Sequence, residues 1–285
     1  MKKNISATFK DKTVIISGSS KGIGKVLARE LGLLGANIVL NGTNEQVLNA
    51  TNRELELLGI NTIAVAGSVT ELDTCNRIVK EALKKYDSID IVVANAGMSA
   101  EGSLEESDPL VFKKIMEVNY LGTVYLIKAC LPGLKITGGS ILMTGSVSGF
   151  RGMPGYAAYS AAKMALTALA GALNIELKSS GISVGIAYVG FTQNDDGKMM
   201  LDSNGTMVSK KKIARGKVAT QLEVATSMIT MLKKHQFKKV FSTLGVITDL
   251  VVRFAPSLGS FILERNFQER TVPEKTTPLL EYPFT

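Results

Sequence analysis

Residues 13–24 read TVIISGSSKGIG. Thr13, Val14, Ile15 and Ile16 form a short, unbroken β-branched run, the composition of a strand covered on both faces. The run leads straight into Ser17, Gly18, Ser20, Lys21, Gly22, Ile23 and Gly24, where a helical pattern begins. Glycines at a strand-to-helix turn remove the Cβ atoms that would block an anion, and the helix's first N–H groups and dipole favour negative charge. The spacing is GxxxGxG rather than GxGxxG, and glycine turns also serve plain packing, so this stretch alone does not decide the ligand.

Working outward, the same grammar repeats. NIVLN (37–41), TIAVA (62–66), IDIVVA (89–94), SILMTG (140–145) and ISVGIAYV (182–189) alternate with helical patterns at 22–34, 44–58, 71–86, 109–132 and 156–179. Near-continuous apolar strands separated by helices predict an α/β fold, a doubly wound parallel sheet flanked by helices. At 285 residues and 45% apolar content the chain is read as one domain. Asn44 is a natural N-cap for 44–58, and Gly59 a stop.

After Gly190 the pattern changes. FTQNDDGKMMLDSNG reads as a long loop or lid spanning about 190–218, followed by a helix at about 218–234 and a last strand in KKVFSTLG. The division expected is a catalytic domain over 1–244 and an apolar or amphipathic extension over 245–285. Asp249, Arg253, Pro256 and Glu264 break that extension too often for a membrane span, leaving packing on the domain, pairing with another subunit or lying at a membrane interface.

The formal charge of +8 is concentrated. Lys198, Lys210, Lys211, Lys212, Arg215, Lys217, Lys233, Lys234, Lys238 and Lys239 face only Asp202 and Glu223 across 198–240. Such a patch is either a solvated face or a contact for an anionic membrane or an acidic carrier. Without interleaved aromatics or a recognisable module, nucleic acid is not expected. Cys75 and Cys130 lack metal or disulfide spacing, no metal site is expected, and the lone His235 sits among lysines as a surface residue. With no apolar run after the N-terminal lysines, the expectation is a cytoplasmic protein, with a membrane-peripheral option.

Three clusters fall at carboxyl ends of strands, where open parallel sheets bind ligands. These are the glycine turn, Asn95-Ala96-Gly97, and Ser146 followed thirteen residues later by Tyr159 in YSAAK. Tyr159 and Lys163 at i and i+4 share one helix face, so the ammonium can approach the phenol and favour its ionised form. Tyr156 is not one turn from Lys163 and is assigned to packing or substrate contact.

With Asn119 in VNYLG, the set SGSSKGIG, NAG, Ser146 and YSAAK resembles the short-chain dehydrogenase/reductase family over roughly residues 10–190. The resemblance implies a Rossmann-like single domain, a homodimer or homotetramer, and reversible carbonyl reduction or alcohol oxidation of a small-molecule substrate. It further implies that Ser146 binds the substrate oxygen and Tyr159 transfers the proton. Lys163 would hold the nicotinamide ribose and lower the tyrosine pKa, while Asn119 positions a relay water. Cofactor contacts are expected from Gly18, Ser20, Lys21, Gly22, Ile23, Gly24, Gly42, Thr43, Ser68, Val69, Asn95, Ala96, Gly97, Tyr159, Lys163, Gly190 and Thr192.

No acid stands in Asn41-Gly42-Thr43-Asn44 to hold ribose hydroxyls, and Lys21 is basic, so NADP(H) is favoured over NAD(H). Ser68-Val69 and Val189-Gly190 depart from the family's usual Asp-Val and Pro-Gly. The lid, the basic region and the apolar tail suit a lipophilic carbonyl: a 3-oxoacyl chain, a keto-sphingoid base or a steroid-like ketone. The competing expectation is a catalytically silent cofactor-sensing or scaffold domain.

Overall fold

The computed structural model describes residues 8–193, 195, 198–209 and 218–268, with side chains described as far as 265. Strands β1 (Thr13–Ile16), β2 (Asn37–Gly42), β3 (Thr62–Ala66), β4 (Ile91–Ala94), β5 (Ser140–Ser146), β6 (Ser183–Val189) and β9 (Lys238–Val240) pair in one sheet. The order is β3-β2-β1-β4-β5-β6-β9. Every pairing within it is parallel. The order reverses between β1 and β4, so a crevice opens at their carboxyl ends.

Helices cover both faces, as the unbroken apolar runs require. On one side Leu27 and Leu31 of α1 (Gly22–Leu33), Leu48 and Leu55 of α2 (Glu45–Leu57), and Val224 and Met228 of α7 (Gln221–Lys233) bury against Val14, Ile16, Ile38 and Leu40. On the other, α3 (Leu72–Tyr86), α5 (Gly122–Thr137) and α6 (Ala157–Glu176) meet Ile15, Val39, Val92 and Ile141. The central strands thus alternate between two buried cores. Cys75 and Cys130 are free thiols buried in the second core. Burial pushes the Cys75 thiol up to about 11.

Local signals set several helix ends, Asn44 as the sequence predicts. Asn44 caps α2 by accepting from the Val47 N–H at 3.0 Å. Thr220 and Glu223 form a reciprocal capping box on α7. His235 is exposed in the left-handed region at φ 48 just beyond α7.

Two expectations change in detail. The helix read over 109–132 is α4 (Pro109–Met116) and α5 joined by a π-helical turn, Glu117–Leu121, centred on Asn119. The loop after Gly190 contains an antiparallel hairpin, β7 (Met199–Leu201) and β8 (Met207–Ser209), turning at Gly205 with φ 78. The apolar extension forms α8 (Thr243–Phe254) and α9 (Pro256–Gln268). Among the described residues no helix is long and apolar enough to cross a membrane. Lys210, Lys211, Lys212, Arg215 and Lys217 of the basic region lie outside the described residues, as do residues 269–285 of the extension.

Candidate active site

The crevice is floored by the glycine turn. Gly18 and Gly22 sit at φ 62 and 63, a region that strains any side-chain-bearing residue. A Cβ on Gly18 would stand 2.8 Å from the Ala96 Cα, and one on Gly24 would be 2.7 Å from the Asn95 Nδ2 and in collision with the Gly18 carbonyl. These glycines let the turn pack against the segment after β4. Ser17 Oγ completes the seam, accepting from the N–H groups of Asn95 and Ala96 at 3.0 Å each. Asn95 Nδ2 donates back to the carbonyls of Ser17 and Gly18 at 3.1 Å. Its carboxamide therefore builds the floor, leaving Gly97 exposed beside it.

The floor fits the pyrophosphate of a dinucleotide. Lys21 is the N-cap of α1 and makes no side-chain capping bond, so its own side chain does not compete with an anion for the helix's first N–H groups. Lys21 and Thr43 are exposed, whereas Gly42 is buried with Ser20 Oγ 2.9 Å from where its Cβ would be. Ile23 is half-buried against the first core. Ser68 spends its hydroxyl on Thr70, and Val69 is buried against Gly122. Gly190 packs on Ser242, and Thr192 Oγ1 donates to the Gly190 carbonyl at 3.2 Å.

Ser146, Tyr159 and Lys163 converge at the crevice's other wall. Ser146 ends β5, and the half-buried Tyr159 and buried Lys163 lie one turn apart on α6. Burial pushes the Tyr159 phenol up, and a hydrogen bond with Ser146 pulls it partly back. Lys163 Nζ lies 5.7 Å from the centre of the Tyr159 ring and donates to the Thr144 carbonyl at 2.8 Å. Burial, helped by the lid's Lys198, draws this ammonium down to about 8.

Asn119 is fully buried and spends both ends of its carboxamide on Met98. Its Oδ1 accepts from the Met98 N–H at 2.8 Å, and its Nδ2 donates to the Met98 carbonyl at 2.9 Å. A Cβ on Gly97 would be 2.8 Å from that Oδ1 and 3.7 Å from Lys163 Nζ, so the amide and the ammonium border the same glycine. The π-helical turn at Asn119 belongs to a class of irregularity often found at functional sites.

Two contributors escaped the sequence reading. Thr144 supplies the carbonyl that receives Lys163, and its hydroxyl donates to Asn95 Oδ1 at 3.2 Å; nothing marks it within an ordinary strand. The hairpin is the other. Leu201 exchanges backbone hydrogen bonds with Ser99 (2.9 Å) and Glu101 (3.0 Å), which brings buried Met200 and Leu201 against the segment after Gly97. The lid also borders the turn, with Asp195 Oδ2 3.6 Å from the Cβ position at Gly22.

Residues 12–203 match the family model for short chain dehydrogenases. A 3-dehydrosphinganine reductase of Danio rerio is 38% identical over 181 residues, covering 61% of this chain and 54% of that protein. The 11-beta-hydroxysteroid dehydrogenase-like 5 of Arabidopsis thaliana is 33% identical over 208 residues, covering 72% and 53%. The chain thus spans about half the length of these curated relatives. Among solved structures, an alcohol dehydrogenase of Thermococcus sibiricus complexed with 5-hydroxy-NADP aligns with TM-score 0.70 at 26% identity, covering 80% of this chain and 95% of that one. With its order of strands, its glycine turn and its serine, tyrosine and lysine on one wall, this chain belongs to the short-chain dehydrogenase/reductase family.

Proposed function

We propose that the chain is an NADP-dependent oxidoreductase that reduces the carbonyl, or oxidises the alcohol, of a lipophilic substrate such as a 3-oxoacyl chain, a keto-sphingoid base or a steroid-like ketone. The observation that carries this reading is the convergence of Ser146 at the end of β5 with Tyr159 and Lys163 one turn apart on α6, the Lys163 ammonium 5.7 Å from the centre of the Tyr159 ring. A nicotinamide dinucleotide, when bound, supplies or accepts the hydride. The chain's own residues do the rest. Ser146 holds the substrate oxygen, and Tyr159, whose phenol burial pushes up, gives that oxygen a proton as the carbonyl is reduced. Lys163 binds the ribose and carries charge beside the phenol. Asn119 fixes the backbone at Met98 and, through the π-helical turn, holds a water that links Lys163 to solvent.

Gly18, Ser20, Lys21, Gly22, Ile23 and Gly24 cradle the pyrophosphate, and Asn95, Ala96 and Gly97 lie along the ribose. Ser68 and Val69 flank the adenine, while Gly190 and Thr192 meet the carboxamide. Preference for NADP rests on the exposed Lys21 of the glycine turn and on Asn41-Gly42-Thr43-Asn44 at the end of β2, which carries no acid to repel a 2′-phosphate. The lipophilic substrate is supported by the apolar cluster of Leu201 with Ala100, Val111 and Ile115 after the Gly97 segment and by the names of the sphinganine and hydroxysteroid relatives. We place the protein in the cytoplasm as a homodimer or homotetramer, with a peripheral contact to an anionic membrane or acidic carrier through 198–240.

The test is NADPH consumption across a panel of carbonyl compounds. Turnover of long-chain and ring ketones supports the reading, and turnover confined to small polar sugars removes the lipophilic part. NADPH binding without turnover of any carbonyl or alcohol, unchanged by Tyr159→Phe, would instead establish a silent cofactor-sensing domain.

A further inference from the structure

Helices α8 and α9 are amphipathic in the wrong sense for a surface helix. On α8, buried Gly245 packs against Val147 and Val240, and Asp249 accepts from Lys238 at 2.6 Å and from Arg253 at 3.0 Å. Gly245 and Asp249 therefore face the domain, with Arg253 at the edge. Leu244, Ile247, Leu250 and Phe254 follow one another at three- and four-residue steps on the opposite side and are exposed, Phe254 by 81%. On α9, Gly259 packs on Arg151 and Val251, while Leu258 and Phe261 are left outside, Phe261 by 60%. An apolar stripe of this length across two consecutive helices marks a binding surface.

We propose that this stripe seats the chain on an anionic phospholipid bilayer, with the catalytic crevice beside the lipid. Charge selects the occupant. From residue 233 to the end of α9 the sequence carries Lys233, Lys234, Lys238, Lys239, Arg253 and Arg265 against Asp249 and Glu264, with Asp249 engaged by Lys238 and Arg253. Self-association through the stripe would bring like-charged rims together, whereas acidic headgroups complement them. An interfacial helix pair that buries its apolar face among acyl chains with cations at the rim needs no spanning segment.

Position supplies the use. Arg151, five residues after Ser146, donates to the Pro256 carbonyl at 3.2 Å and to Ser260 Oγ at 2.6 Å. Gly245 packs on Val147, the residue following Ser146. The face is thus clamped to the segment that leaves the catalytic serine, so a lipid-borne carbonyl would reach the crevice from the membrane side. This deepens the lipophilic-substrate reading and rests on it for that last step.

Flotation of the full chain with phosphatidylcholine vesicles, with and without phosphatidylserine, tests the docking. The chain should float with the phosphatidylserine vesicles and less so at high salt. Replacing two phenyl groups in Phe254→Ser/Phe261→Ser should reduce partitioning on the order of ten-fold or more, because the buried apolar area is lost. NADPH consumption with a water-soluble ketone should be unchanged. If the double variant loses its circular-dichroism melt, Ile247→Ser is judged by the same loss of flotation.

Flotation of a folded variant equal to wild type overturns the proposal, as does wild type floating with neither vesicle. A change in oligomeric state with flotation unaltered also overturns it and assigns the face to a second copy. Flotation of a wild type that turns over no ketone supports the docking while removing the catalytic reading.

Discussion

Lys163 and Tyr159 stand one turn apart with the ammonium 5.7 Å from the phenol ring's centre, yet the ammonium's hydrogen bond goes to the Thr144 carbonyl. The helix sets the spacing and the end of β5 sets the direction. Ser146 is the group that lowers the phenol's pKa here, against the larger opposing effect of burial. The lysine thus stands beside the tyrosine ring with its donor anchored to the sheet.

That anchoring makes a pH prediction. Lys163 sits near 8 when folded against an ordinary value of 10.5. Below about pH 8 both states carry the proton, and the cost of burying the ammonium is present in full. Between 8 and 10.5 the unfolded chain holds a proton that the folded chain lacks, so this residue's contribution to stability rises with pH. Urea midpoints of wild type and Lys163→Met, followed from about pH 7 to about pH 10, should show wild type gaining on the variant. A constant difference would show that the folded lysine keeps its ordinary affinity for protons.

Asn119→Ala should unfold more easily than a surface substitution. It removes two hydrogen bonds and leaves the backbone N–H and carbonyl of Met98 without their partners. Each orphaned group costs about 1–3 kcal/mol. Chemical denaturation should register a loss of at least about 2 kcal/mol, and a loss below about 0.5 kcal/mol would place Met98 in contact with water instead.

Cofactor choice is testable at the two exposed positions of the floor. A charge-assisted hydrogen bond is worth about 1.5–3 kcal/mol, or ten-fold and more in affinity. Lys21→Ala should therefore weaken NADPH binding by about that factor and leave NADH nearly unchanged, while Thr43→Arg should strengthen NADPH. Fluorescence titration gives both constants. Equal losses for the two dinucleotides would mean that Lys21 serves the pyrophosphate alone.

The sheet was legible because its strands are buried on both faces, which forces nearly pure apolar runs such as TVII and IVVA. The glycine turn was legible because close backbone approach admits no other residue. The π-helical turn was not, since it coincides with a long-range bond from Asn119 to Met98 that no local pattern records. The hairpin after Gly190 carried a signal, the turn DSNG between MML and MVS, but its strands are three residues each. Asn95 is expected among the cofactor contacts, and nothing local announces the second job of its side chain, which ties Ser17 and Gly18 to the strand beside them.

Transfer of label from NADPH carrying deuterium at both C4 positions to the carbonyl carbon of a long-chain or ring ketone tests the central claim most directly. Wild type should deliver the label, and Tyr159→Phe should slow delivery by about 10²–10⁴-fold while binding NADPH as tightly. Delivery at an equal rate by the phenylalanine variant, or none by wild type with any ketone, would contradict the account.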